Sequence, residues 1–157
     1  MEEPIEIRQG TVSDEPWILD LGEELFCDLG NYREILGHWL ALPKTMPLVA
    51  FSGEAQLGFA LVSPERSIGF LYRPWAELVG IGVCAGNRRQ GTGSALLRET
   101  LQIAARWRAR EVRLHTAVSN RTGQKFFESQ GFDFDSREVV FYPSGEEAVK
   151  MVLPLAM

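Results

Sequence analysis

The chain has 157 residues, a formal net charge of −5, 45% apolar side chains and 24% charged ones. That is the balance of one globular domain spanning residues 1–157, and it excludes a disordered chain and argues against general nucleic-acid binding. No apolar run reaches the roughly 18 residues of a membrane span, and the acidic Met1-Glu2-Glu3-Pro4 start lacks the apolar segment of a secretory leader. Cys27 and Cys84 are far apart and read as two buried free thiols, which implies a cytoplasmic setting. No metal site and no membrane partner are expected.

Ile5 to Arg8 alternates and predicts a first strand. Thr11 to Pro16 is a helix start, with Ser13 as the expected cap and acids and proline in the first turn. Trp17, Ile18, Leu21, Leu25 and Leu29 then form an apolar stripe at helical spacing. Gly30-Asn31 breaks it, and a second helix is expected over Tyr32 to Leu42, ended by Pro43. His38 falls on the surface of that helix and receives no role. Leu48 to Phe51 and Leu57 to Val62 predict two strands joined by the Ser52-Gly53-Glu54 turn. Ser63 to Pro74 reads as a connection with room for a short strand around Ile68 to Tyr72.

A strand begins at Glu77, where Leu78, Val79, Ile81 and Val83 are apolar, and a helix follows on Leu96, Leu97, Thr100, Leu101, Ile103 and Ala104. Glu111 to Val118 alternates as another strand. Ser119-Asn120 caps a helix over Arg121 to Ser129, which Gly131 closes and after which Phe132 docks. Arg137 to Tyr142 and Val149 to Leu155 are the last two strands, split by the Pro143-Ser144-Gly145 turn. Alternating strands and helices imply an α/β sheet with helices on both faces.

The central strand and helix are joined by Arg88-Arg89-Gln90-Gly91-Thr92-Gly93-Ser94. Glycines admit a tight turn and a close ligand, and the first N–H groups of a helix have no internal partner and carry the positive end of its dipole. Together they make an anion site suited to a pyrophosphate. A P-loop would need Gly-x-x-x-x-Gly-Lys-Ser/Thr, which the chain lacks, and a dinucleotide fingerprint would need glycine where Leu96 stands. What remains, Arg88-x-x-Gly91-x-Gly93 after a strand and before a long helix, resembles the acetyl-CoA loop of the GCN5-related N-acetyltransferase (GNAT) family. A second stretch matches the same family at Asn120, Gly123, Phe126, Gly131 and Phe132. The opening Ile7-Arg8-Gln9-Gly10-Thr11-Val12-Ser13-Asp14 is similar as well. The ending, Phe141 to Ala148 and on to Pro154, is similar to the ribosomal-protein alanine acetyltransferases.

The resemblance covers nearly the whole chain and implies a mixed central sheet of about six to seven strands with helices on both faces. It implies an N-acetyltransferase that passes an acetyl group from acetyl-CoA directly to a primary amine, of a small molecule or a protein. A monomer and a homodimer both remain open. The cofactor would be held by Ile81, Gly82 and Val83 on the strand, by Arg88, Arg89, Gln90, Gly91, Thr92, Gly93 and Ser94 in the loop, and by Asn120 and Phe127. Many relatives carry tyrosine at the position of Phe127, as general acid for the departing thiolate. Phenylalanine has no proton to give, which leaves Tyr142 as the phenol to consider. Restoring the hydroxyl, Phe127→Tyr, is on this basis expected to raise kcat by up to about tenfold.

Two groups are candidates for the base that deprotonates the amine, Glu77 and His115, and an ordinary imidazole pKa of ~6.5 suits that task. Cys84 has no histidine placed beside it by any motif and is assigned to the core. The loss of tyrosine at Phe127 keeps a rival open: a non-catalytic acyl-CoA-binding module. A transferase for a longer acyl chain is a third possibility.

Overall fold

Arg8 and Asp14 set how the chain leaves its first strand. The computed structural model describes residues 3–67, 69, 73–88, 90–139 and 141–156. Strand β1 is Glu6–Gln9. From it Arg8 donates to the two oxygens of Asp14 at 2.7 and 2.9 Å, and the same carboxylate accepts the Thr11 N–H at 2.8 Å. Thr11 and Asp14 thus close a capping box on the short 3-10 turn Val12–Asp14 that leads into the first helix, which itself has no side-chain cap among the described residues, and the expected cap, Ser13, pairs its hydroxyl with that of Thr11. Asp14 is 4% exposed. Hydrogen bonds from Arg8 hold its carboxyl well below the usual carboxylate range, outweighing the opposite effect of burial.

Helix α1 is Glu15–Phe26, with proline in its first turn, and α2 is Tyr32–Leu40. Asn31 caps α2 by accepting the Glu34 N–H at 3.4 Å. This helix stops two residues before the expected Leu42: Ala41 makes the last helical bond, to Gly37, and the Leu42 amide already closes a tighter turn onto the Trp39 carbonyl.

Strands β2, Met46–Ser52, and β3, Ala55–Arg66, form the expected hairpin. Strand β4, Pro74–Val83, is longer than the sequence implies, as is β3. Their antiparallel ladder runs on to Arg66 opposite Pro74. Pro64 lies beyond the end of β2, where β3 has become an edge and proline is tolerated. The short strand expected over Ile68 to Tyr72 falls on Ile68, Phe70, Leu71 and Tyr72, which lie outside the described residues.

Helix α3 is Thr92–Arg106, β5 is Glu111–Ala117 and α4 is Arg121–Ser129. Strand β6 is Asp133–Glu138 and β7 is Ala148–Pro154. The position of β6 corrects the expectation of a strand over Arg137 to Tyr142. The chain turns at Gly131 and enters the sheet at once, on an acidic segment that an edge strand tolerates because its outer side meets water. Phe141 and Tyr142 are left in the turn after it, where the Tyr142 carbonyl accepts the Gly145 N–H at 2.8 Å.

Among the described residues the strands form one mixed seven-stranded sheet in the order β1-β2-β3-β4-β5-β7-β6. Alternation along each strand sends neighbours to opposite faces. Val49, Phe59 and Leu61 pack against Ile18 and Leu21 of α1 and Leu36 of α2. Leu48, Ala60, Val62, Leu78 and Leu114 pack on the other face against Leu96, Leu97 and Ile103 of α3 and Phe127 of α4. Helices thus cover both faces, as alternation implies. Cys27 and Cys84 are free, but Cys27 is exposed and Cys84 half-buried, which corrects the expectation of two buried thiols. Among the described residues no helix is long and apolar enough to cross a membrane.

Candidate active site

The site begins where two parallel strands part. β4 pairs with β5 only over Ala76–Leu78 against Val112–Leu114. Beyond that the strands diverge, while β4 stays on its ladder with β3 as far as Val83 opposite Gly58. The Cys84 N–H donates to the Leu57 carbonyl of β3 at 2.8 Å. Counting back in twos, the amide groups of Gly82 also turn to β3, and those of Ile81 and Val83 turn to the opposite edge, into the split. Gly82 has a packing reason to be glycine: a Cβ there would stand 2.8 Å from Leu25 and 2.9 Å from the Phe59 ring.

The loop follows directly. Gly91 has φ +87°, a left-handed conformation, and is the N-cap residue of α3 with no side-chain cap. No described residue lies within 4 Å of where its Cβ would be, so this side of the loop is open among the described residues. Thr92 is 1% exposed, and its hydroxyl has no hydrogen-bond partner among the described residues. The first internal bond of α3 comes from the Ala95 N–H to the Gly91 carbonyl, so the amides of Thr92, Gly93 and Ser94 are free of helical partners. Gly93 instead serves packing, since its Cβ would meet the Phe126 ring at 3.3 Å. The Ser94 hydroxyl accepts from Gln130 at 3.3 Å. Arg88 and Gln90 are exposed beside the loop, and Arg89 lies outside the described residues. An orphaned buried hydroxyl, an open glycine and three outward amides fit a diphosphate.

Asn120 and Phe127, on the neighbouring helix α4, are held by contacts within the fold. Asn120 caps α4: its Oδ1 accepts the Gly123 N–H at 3.0 Å and its Nδ2 donates to Thr116 at 3.0 Å. Both ends of its amide are therefore committed to the fold. Phe127 is 6% exposed and packs edge-on to Phe126 and Phe132, with ring centroids 5.3 and 5.9 Å away.

On the α1/α2 side of the split lies a cleft of about 200 Å³, lined by Tyr32, Trp39, Glu77, Val79, His115 and Tyr142 among others. Alternation on β5 buries Val112, Leu114 and Thr116 in the core and so brings Arg113 and His115 to this face. His115 Nδ1 lies 3.4 Å from Glu77 Oε1, and Nε2 lies 3.0 Å from Glu138 Oε1. The Phe141 ring stacks on the imidazole at 4.3 Å and 15°. Glu77 Oε2 accepts from the Trp75 indole at 3.2 Å, and the Arg113 guanidinium lies 3.9 Å over that indole. Burial pushes the His115 pKa down, but hydrogen bonds and charge from Glu77 and Glu138 outweigh it, and the net direction is up.

Tyr142 is buried beside Tyr32, and burial above all, with Tyr32 and Glu146 adding, pushes its phenol up. It therefore stays protonated. The Cys84 thiol is pushed up by burial and then by the charge of Glu24, away from a nucleophilic thiolate. His38 is exposed on α2, away from this cleft.

The structure thus gathers Glu77, His115 and Tyr142 in one cleft, and Ile81, Val83 and Gly91 to Ser94 along the split and the loop. It adds Tyr32, Trp75 and Glu138. Tyr32 could be seen in the sequence only as the first residue of a helix. Glu138 carries no local signal, because β7 lies between its strand and that of His115.

A sequence model described as the acetyltransferase (GNAT) family matches residues 14–132. The chain belongs to that family. N-alpha-acetyltransferase 30 of Dictyostelium discoideum is 28% identical over 125 residues, covering 80% of this chain and 64% of that protein, so the chain spans less than two thirds of this relative's length. Among solved GNAT-like structures, the NatC complex bound to Gag peptide and CoA aligns at a TM-score of 0.77 and 19% identity, over 99% of this chain and 100% of that one. The ribosomal-protein-S18-alanine N-acetyltransferase from Escherichia coli aligns at 0.73 and 20% identity, over 98% and 96%. At these identities the structural likeness is one of fold. It agrees with the seven-stranded GNAT sheet seen here.

Proposed function

We propose that the chain is a cytoplasmic N-acetyltransferase, residues 1–157 forming one catalytic domain, that moves an acetyl group from acetyl-CoA to the α-amine of a peptide or protein. The observation that carries this is the split between β4 and β5. It opens an amide edge between an anion-binding helix start and a histidine–glutamate pair. Acetyl-CoA supplies a thioester, an acyl group already activated toward an amine.

The residues divide the work by place. Thr92 to Ser94 offer three free amides and a buried hydroxyl to a diphosphate, and Arg88 stands exposed beside them to add positive charge. Ile81 and Val83 offer amides to a pantetheine chain laid alongside as an added strand, and an N–H of that edge is the available donor for a carbonyl oxygen. Glu77 and His115 stand at the bottom of the split to hold the ammonium and take its proton. Tyr32, Trp39 and Tyr142 wall the acceptor side with aromatic surface. An aromatic cleft with carboxylates at its base suits a cationic amine at the end of a peptide. The name of the Dictyostelium relative and the Gag peptide in the NatC complex support that acceptor class.

The test is thiol release from acetyl-CoA with peptides whose α-amine is free, set against the same peptides blocked at the α-amine and against small amines. Release only with free α-amines is the expected result. Release only with small amines overturns the acceptor. Tight CoA binding with no release from any amine overturns the transferase and leaves a CoA-binding module.

A further inference from the structure

His115 is held at both ring nitrogens, and the two contacts are unequal. Nε2 lies at hydrogen-bond length from Glu138, 3.0 Å, whereas Nδ1 lies 3.4 Å from Glu77. A neutral imidazole has one N–H and one lone pair. An N–H on Nε2 would suit the shorter contact and would turn the Nδ1 lone pair toward Glu77. A lone pair and a carboxylate oxygen repel unless a proton stands between them, and an acceptor's ammonium carries such a proton.

We propose that Glu138 is a positioning residue: by accepting the Nε2 proton it fixes the tautomer of His115 and leaves Nδ1, beside Glu77, to take the proton of the acceptor amine. This rests on the acetyltransferase assignment above. The ammonium gives one proton to Nδ1, which leaves a neutral amine with its lone pair and an imidazolium between two carboxylates. That proton passes on to solvent before the next turnover.

The surroundings of the ring support a shared charge of this kind. Glu77 faces it from β4 and Glu138 from β6. Lys150 is its cross-strand neighbour on β7, but the Lys150 ammonium is drawn off to Asp135 at 3.6 Å. Tyr142, from the turn after β6, and Tyr32, from α2, line the same cleft with neutral phenols. Phe141 stacks on the ring and limits its rotation. Glu77 is itself braced by the Trp75 indole, so its carboxylate is held by a group other than the histidine.

The chain has two histidines, so ring-nitrogen NMR resolves His115 from the exposed His38. In the wild type the Nε2–H tautomer of His115 should dominate at high pH, with its titration midpoint raised above the ordinary imidazole value. Glu138→Gln keeps an oxygen acceptor and removes the charge. It should retain the tautomer and move the midpoint, and the inflection in kcat, to lower pH by about one unit. Glu138→Ala should mix the tautomers and lower kcat about ten- to hundredfold at little change in KM, with thermal unfolding measured alongside. An active wild type whose Glu138→Ala variant keeps the same tautomer and midpoint, or the same kcat, overturns the proposal. A wild type that acetylates no amine overturns the transferase assignment instead, and this role with it.

Discussion

Replacing Gly91 separates binding from folding more cleanly than any other change in the loop. Its φ is +87°, and no described residue lies within 4 Å of the Cβ it lacks. Alanine there meets no described neighbour, so its cost to the fold is that of the left-handed backbone, about 1–2 kcal/mol. For a chain of this length that lowers Tm by about 2–8 °C and leaves the protein folded at 25 °C. The added methyl projects from the open side of the loop, where a diphosphate would meet the Thr92 to Ser94 amides. Losing even one hydrogen bond to a charged phosphate oxygen, ~1.5–3 kcal/mol, weakens CoA binding about ten- to a hundredfold. Valine, β-branched at the same φ, should abolish binding. Gly145→Ala is the control. Its φ is +91°, again with no described residue within 4 Å of the missing Cβ, and it lies in the turn before β7 outside this loop, so it should cost similar stability and spare CoA affinity. Titration calorimetry with CoA on folded protein reads the contrast. Unchanged affinity in a folded Gly91→Ala or Gly91→Val variant refutes the loop as the diphosphate site.

Three further outcomes are expected. His115→Ala should lower kcat strongly and remove an inflection that lies above the ordinary value of 6.5, because the ring's pKa is raised; an unchanged pH profile would move the base elsewhere. For stability the sign is opposite: a raised folded pKa stabilises most below the unfolded value and is lost as pH rises through the folded one, which unfolding midpoints across pH 6 to 9, about the range concerned, would show. Asp14→Asn should cost about 1–3 kcal/mol, and the wild type should lose the same increment as pH falls below roughly 4, since its folded pKa is depressed; equal acid sensitivity of the two proteins in urea melts would refute this. Phe127→Tyr, expected from resemblance to speed turnover, should instead destabilise by about 1–3 kcal/mol and leave kcat unchanged, because the ring is buried against Phe126 and Phe132; a rise in kcat would restore the general-acid role to this position.

The parts that were legible in the chain itself are those made by neighbours in sequence. Asn120 and Gly131 bracket α4, and its bounds, Arg121–Ser129, are those the cap and stop signals imply. The turn at Gly91 and the helix start after it are written in seven consecutive residues, and the alternation of β5 already sends His115 away from the core. Each depends on a backbone preference or a hydrogen bond that closes within one turn or one strand. Tertiary structure decided what is closed by distant partners. Ser63 to Arg66 became strand only because Pro74 to Glu77 came to lie beside it. Asp14, and not Ser13, closes the turn before the first helix, with its carboxylate held by Arg8 from a strand. The parting of β4 from β5 after Leu78 leaves no mark in either strand's sequence, yet it exposes the Ile81 and Val83 amides. His115 could be singled out by type and place. Its partners could not, because Glu77, His115 and Glu138 stand on three strands, and their spacing in the chain carries no information about the 3.0 and 3.4 Å contacts between them.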